Sequence, residues 1–359
     1  MTAAKHKMQL YMFILLFMLT ACSSTRQPNG PAPSKEETVE LLNYLEENGN
    51  LLNSPYLPSL VNAGNLYHSL HGANIQIIDL RPADEFAASH IEHSVNVRPS
   101  GILNHFEQVI DPGSFDFIVL VCPNAMLSAY VNSVLLLLGY DNVLTLRFGL
   151  SSWDHGIAEG HWLAALSSHL EGKLETQPIP KPPAGELPAI GTGETNGYRI
   201  LRARATKILN ARLDEINVSL EEVTDDPEKY FLINYWPEVL YNSGHLPGAI
   251  QYTPKTSLHT TQHLKTLPAD QPIAIYCFTG HHSAYVTSFL RLLGYDAYNL
   301  PYGANSFIHN TMYTTQGGFR AFTEESVHHF PLVGKGSADR RPELETDETE
   351  EGVPVIGGC

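Results

Sequence analysis

At 359 residues, 43% hydrophobic and 17% charged, the chain is long enough for two ordinary domains with appendages and apolar enough to fill their cores. A net charge of −16 argues against binding the nucleic-acid phosphate backbone as a main activity. Past the first two dozen residues no apolar run is long enough to span a bilayer.

The chain opens with "MTAAKHK", the apolar stretch "MQLYMFILLFML" and then "LTAC", ending at Cys22. This order resembles a bacterial lipoprotein signal peptide, residues 1–21, whose following cysteine is lipidated and becomes the mature N-terminus. The resemblance implies a membrane anchor on Cys22 and a body working outside the cytoplasm. Ser23 after the cysteine favours the outer membrane of a Gram-negative envelope, on the periplasmic side. An ordinary secretory signal, or a short uncleaved anchor, is the alternative. Residues 22–54 read as a polar tether followed by a helix, "SKEETVELLNYLEEN", with Ser34 and Glu37 at capping-box spacing.

Three cysteines remain after the leader: Cys122, Cys277 and Cys359. So sparse and odd a set is no disulfide framework, and unpaired thiols outside the cytoplasm need a use or a shield. Cys122 and Cys277 head matching segments, "CPNAMLSAYVNSVLLLLGYD" and "CFTGHHSAYVTSFLRLLGYD". The offset of 155 also relates His90 to His245 and Asp79 to Asn234. It falls to 154 between "FGLSSW" and "YGANSF". The chain is therefore a tandem duplication.

Each unit alternates short β-branched runs with helical segments. In the first unit the strands are "IQIIDL", "FIVLVC" and "NVLTL"; in the second, "YFLINY", "PIAIYC" and "AYNL". Such alternation implies a parallel sheet covered on both faces, with ligand sites beyond the carboxyl ends of the strands, where both cysteines sit. The units span residues 55–170 and 198–333. Between them lies a Pro/Gly-rich linker, residues 171–197, and the helix "YRILRARATKILNARLDEI" opens the second unit. Residues 334–359 read as an acidic tail ending in Cys359, with the composition expected of a disordered segment.

The segments "IIDLRPADEFAASHIEHSVNV" and "LINYWPEVLYNSGHLPGAIQY", with "CFTGHHS" and "LPYGANSF", resemble the signatures of rhodanese domains. The resemblance implies an α/β fold of two tandem rhodanese-like domains, each a short parallel sheet with helices on both faces. It also implies sulfurtransferase activity with no metal or organic cofactor. Small sulfur anions such as thiosulfate or polysulfide, or protein persulfides, would be donors to a thiol or cyanide acceptor. A protein acceptor remains unidentified.

A persulfide-forming thiolate needs a place for negative charge. A curl of backbone N–H groups at a helix N-terminus supplies one. In the second unit Cys277 is the expected nucleophile, within the loop Phe278, Thr279, Gly280, His281, His282 and Ser283. Gly280 suits the curl and Ser283 suits an N-cap. His282 stands where the family has arginine, so His281 and His282 are expected on the donor side, useful to an anion only when protonated. In the first unit Pro123 removes an N–H, Ala125 replaces the glycine and Leu127 the arginine. Cys122 is thus expected to be buried in a degenerate site, although Asp79 and Arg81 keep the family's ion-paired support.

Five residues separate Cys277 from Ser283, as in sulfurtransferases, whereas phosphatases of this fold use a longer loop ending in arginine. His259 and His263 have metal spacing but no evident third ligand, and read as surface histidines. Cys359 is either an inert or intermolecularly paired tail thiol, or a relay that accepts sulfur from Cys277. The competing class is a retired tandem rhodanese serving as an envelope protein-binding or sulfur-sensing module.

Overall fold

The computed structural model describes residues 30–49, 52, 54, 57–210, 212–315 and 320–334. The leader, Cys22, the acidic tail and Cys359 lie outside the described residues. Among the described residues nine short strands form two sheets, and every strand pairing within them is parallel. The first holds β1 (Leu60–Val61), β2 (Ile75–Asp79), β3 (Val95–Asn96), β4 (Phe117–Val121) and β5 (Val143–Leu146), in the order β1-β5-β4-β2-β3. The second holds β6 (Phe231–Asn234), β7 (Ile250–Gln251), β8 (Ile273–Tyr276) and β9 (Ala297–Asn299), in the order β7-β6-β8-β9.

The duplication extends to the sheet edges. Leu60 of β1 pairs with Thr145, and in the second unit Asn217 makes an isolated parallel bridge to Asn299, the residue 154 positions on. One bridge therefore stands where the first unit has a two-residue strand.

Four helices carry most of the packing: α1 (Lys35–Glu47), α2 (Met126–Leu137), α3 (Gly197–Leu209) and α4 (His281–Leu292). Helices α2 and α4 follow the two cysteines and pack against one another, and α1 packs on α3. All twelve residues of α2 are buried, because one face meets its own sheet and the other meets the second unit. A hydrogen-bonded chain crosses this junction. Tyr285 OH donates to the Asn132 side-chain oxygen (2.7 Å) and lies 3.0 Å from the carbonyl of Ser59. Arg204 of α3, itself buried, donates from Nε to the Leu292 carbonyl (2.8 Å) at the C-terminus of α4.

Crossing segments interlock the units. The chain after α3's unit returns to the first, where Val333 and His90 pair through their backbones, Phe330 stacks on Tyr67 (4.0 Å between ring centres) and Trp153 Nε1 donates to Pro331 O (3.0 Å). In the other direction Ser167 N donates to Asn305 O, and Glu175 bridges His245.

Two expected elements differ in detail. Ser34 caps α1 by accepting from Glu37 N (3.3 Å), but the Glu37 carboxylate does not complete the box. It instead accepts from the backbone N–H groups of Thr192 and Gly193 (2.7 and 3.1 Å), holding the linker to α1. The helix read across residues 198–216 stops at Leu209 with Asn210 as its C-cap, and a separate turn covers Leu213–Ile216.

Candidate functional site

Both cysteines lie just past the carboxyl end of the central strand of their sheet, in a loop that curls back before a helix. In the second unit Gly280 (φ +81°) is the N-cap of α4. Its N–H donates to Cys277 Sγ (3.2 Å), and Ser283 N–H does the same (3.5 Å). Ser283 is therefore inside the helix rather than its cap, a correction to the sequence expectation. Its Oγ lies 3.6 Å from the sulfur and 2.6 Å from Asn299 Oδ1. A hydroxyl has one proton, and the closer oxygen takes it.

The first unit forms the same curl, against expectation. Ala125 adopts φ +73° as the N-cap of α2, so an alanine occupies the left-handed conformation that glycine takes in the other loop. Ser128 N–H reaches Cys122 Sγ at 3.4 Å. Burial pushes the Cys122 thiol above its usual range, while hydrogen bonds from Ser128, Asn124 and Ala125 act in the opposite direction. The loss of an N–H at Pro123 does not abolish the cradle, because its donors come from positions further along the loop.

A glycine beneath each loop makes the curl possible. A Cβ on Gly149 (φ +65°) would stand 2.3 Å from Cys122 O, and one on Gly303 (φ +53°) 2.2 Å from Cys277 O. The next residues, Leu150 and Ala304, donate N–H to those same carbonyls at 2.9 and 3.0 Å.

Supports behind the loops differ. In the first unit Asp79 and Arg81 form a buried ion pair (2.7 Å), and Asp79 also accepts from Arg81 N (2.9 Å). In the second, Asn234 repeats only the backbone bond, accepting from Trp236 N (3.2 Å). Trp236 fills the remaining space by stacking on Phe278, with ring centres 4.6 Å apart.

The histidines are not where the sequence placed them. His281 and His282 are 0% and 1% exposed, and both are pushed down to about 3, chiefly by burial. They are neutral at neutral pH and cannot serve as cationic donor contacts. His281 sits against Phe148 and Trp162 of the first unit, with ring centres at 5.4 and 5.7 Å, and His282 against Tyr235. His281 Nδ1 and Nε2 and His282 Nε2 are buried without a hydrogen-bond partner. Thr279 and Phe278 are buried as well, and Cys277 is 0% exposed.

The first unit's loop opens differently. Cys122 and Leu127 line a cavity of about 550 Å³, together with Arg81, Arg98, Glu85 and His161. Arg212, contributed by the second unit, also lines it. Buried Cys122, Leu127 and Arg81 form its inner wall, and exposed Arg98, Glu85 and Arg212 its mouth. Sequence reading missed Arg98, Glu85 and His161. Only the position of Arg98, just past the carboxyl end of β3, signalled it.

The two loops also touch. Asn124 Nδ2 donates to Tyr302 OH (3.2 Å) in the second unit's closing turn, and a Cβ on Gly280 would stand 2.9 Å from Met126 Sδ. The sequence profile of the rhodanese-like domain matches residues 62–155 and 205–325, more than half of the chain. The chain belongs to the rhodanese-like domain family. Its two sheets, each carrying one loop cysteine, are two tandem rhodanese-like domains.

Among solved structures, it is similar to a thiosulfate sulfurtransferase from Pseudomonas aeruginosa (17% identity over 74% of this chain and 45% of that one, TM-score 0.26). It is also similar to a 3-mercaptopyruvate sulfotransferase from Escherichia coli (18% identity, 68% and 98%, TM-score 0.24). A rhodanese-related protein from Thermoplasma volcanium aligns over 33% of this chain and 98% of its own (18% identity, TM-score 0.24). No curated protein sequence matches the chain. Among the described residues no group of three or more His, Cys, Asp or Glu side chains is arranged to hold a metal.

Proposed function

We propose that the protein is a sulfurtransferase that carries sulfane sulfur as a cysteine persulfide, with Cys122 as the thiol that meets the donor. The observation that carries this reading is a cradled thiol on the inner wall of an open cavity with cationic side chains. A donor's outer sulfur is attacked by the Cys122 thiolate, and the leaving group departs with the electron pair of the broken bond. The persulfide then gives that sulfur to a thiol or to cyanide, regenerating the thiolate. Backbone N–H groups of the loop offset the negative charge at each stage.

A second reading keeps the nucleophile at Cys277, where the loop motif places it. Direct N–H donation from Gly280 at 3.2 Å favours it; both thiols are buried, at 0% for Cys277 and 1% for Cys122, so the cavity beside Cys122 is what ranks the first reading ahead. The test is intact mass with peptide mapping after exposure to thiosulfate or polysulfide, for wild type, Cys122→Ser and Cys277→Ser. A cyanide-removable gain of one sulfur that vanishes with Cys122→Ser supports the first reading, and one that vanishes with Cys277→Ser supports the second. No sulfur on either cysteine leaves the binding module.

The leader sequence supports a lipid-anchored body on the periplasmic side of an envelope membrane. Metabolic labelling with a fatty acid checks this: label and membrane association should both be lost in Cys22→Ser. A relay role for Cys359 is a separate proposal, drawn from its being the one further thiol after the two loop cysteines. It predicts that Cys359→Ser keeps transfer to small acceptors and loses transfer to a protein acceptor.

A further inference from the structure

We infer that the Cys122 cavity selects an organic persulfide bearing both a carboxylate and an ammonium group, an amino-acid or short-peptide hydropersulfide, in preference to an inorganic sulfur anion. This rests on the reading of Cys122 as the donor-facing thiol. Three observations carry it.

The first is size. The cavity holds about 550 Å³. Thiosulfate has five heavy atoms and takes on the order of 100 Å³, scaling from about 30 Å³ for a water molecule in the liquid. It would leave most of the space to solvent. An amino-acid or peptide persulfide fills the cavity and covers its wall.

The second is the character of the wall. Leu80, Pro99, Leu127 and Leu209 are buried apolar liners around the thiol. They offer a sulfate-like dianion no compensation for lost hydration, but they suit the carbon skeleton of an organic donor.

The third is the pairing of charges at the mouth. Arg98 is exposed and anchored by one bond, Nη1 donating to Leu80 O (2.8 Å), which orients a guanidinium still rich in donors for a carboxylate. Glu85 lies on the same rim and suits an ammonium. Arg81, deeper, is already neutralised by Asp79. With Arg212, also at the mouth, the rim presents two guanidiniums and one carboxylate, groups of both signs that suit a donor carrying carboxylates and an ammonium together.

The step balances without an added oxidant. The Cys122 thiolate attacks the terminal sulfur of R–S–SH. The donor S–S bond breaks as the new one forms, and R–S leaves with the electron pair and the proton, giving Cys–S–S⁻ and R–SH.

The experiment uses the full chain in detergent with Cys277→Ser, and glutathione hydropersulfide or thiosulfate at equal concentration, following sulfur on the Cys122 peptide by mass. The organic donor should load Cys122 at least about tenfold faster. Arg98→Gln should slow that donor by about tenfold, the usual scale for a charge-assisted hydrogen bond, while changing thiosulfate less. Esterifying the donor's carboxylates, or acetylating its amine, tests the same contacts without touching the fold. The modified donors should lose the advantage in the unsubstituted protein and lose little more in Arg98→Gln or Glu85→Gln. Equal or faster loading by thiosulfate, or indifference to the donor's charged groups, overturns the selectivity while leaving Cys122 as nucleophile. No loading from any donor overturns both.

Discussion

The two loops have the same curl, the same closing glycine and the same serine N–H on the sulfur, yet they are supported by opposite means. Behind Cys122 is a buried ion pair, and behind Cys277 is a stacked aromatic pair in its place. A cavity lies beside the first unit's thiol, and Phe278, His281 and His282 are buried around the second. The comparison teaches that a loop's backbone geometry and its chemical access are separately encoded. The motif residues set the curl; the residues around them decide whether anything reaches the sulfur.

The sharpest way to break that contrast is at the supports. Arg81→Ala strands the Asp79 carboxylate at 0% exposure and should cost about 3–5 kcal/mol in urea unfolding. Asp79→Asn with Arg81→Trp, which imports the second unit's solution, should recover most of that loss. If the single change costs under about 1 kcal/mol, the pair is not what holds the first loop.

Acid should act on the second unit through its buried histidines. Each is held at about 3 in the fold against 6.5 in the unfolded chain, so between those values the unfolded state binds more protons. Their contribution is complete above pH 6.5 and declines as pH falls toward 3. Between pH 7 and pH 5 the loss is roughly 2 kcal/mol per histidine. Unfolding curves at both pH values should show a smaller difference for His281→Gln with His282→Gln than for wild type; an equal difference would place the acid sensitivity elsewhere.

Much of this was legible from the chain alone. The strand runs, the duplication and the pairing of Cys122 with Cys277 all follow from β-branched periodicity and a fixed offset, which are local signals. What was not legible depended on which residues meet across the junction. His281 reads as a polar residue next to a helix start, and only its encounter with Phe148 and Trp162 of the other unit makes it a core residue. Ala125 reads as the loss of a needed glycine, but the loop tolerates the left-handed strain because Gly149 beneath it leaves room for the curl. Arg98 and Glu85 are scattered in sequence and share a site only through the sheet.

That reading of Ala125 makes a smaller prediction. Ala125→Gly should relieve left-handed strain and stabilise the protein by about 1 kcal/mol. The reciprocal Gly280→Ala should destabilise it by more, since the new Cβ would stand 2.8 Å from Tyr302 N and 2.9 Å from Met126 Sδ. Equal and opposite effects would show that the neighbouring unit does not constrain the second loop.

The smallest effect tests whether the loops communicate. Tyr302 belongs to the closing turn of the second unit, yet its hydroxyl accepts from Asn124 in the first loop. Asn124 Oδ1 in turn accepts from Met126 N (3.2 Å) and lies 3.9 Å from Cys122 Sγ. Tyr302→Phe removes one hydrogen bond, worth about 1 kcal/mol, and leaves the backbone under Cys277 in place. Asn124 should then turn more freely, and alkylation of Cys122 should change a few-fold while that of Cys277 stays constant. Mass-resolved alkylation of both cysteines reads the two rates in one sample. A change at Cys277 alone would mean that Tyr302 serves its own unit's turn; a change at Cys122 alone makes it a positioning residue contributed by one duplicate to the thiol of the other.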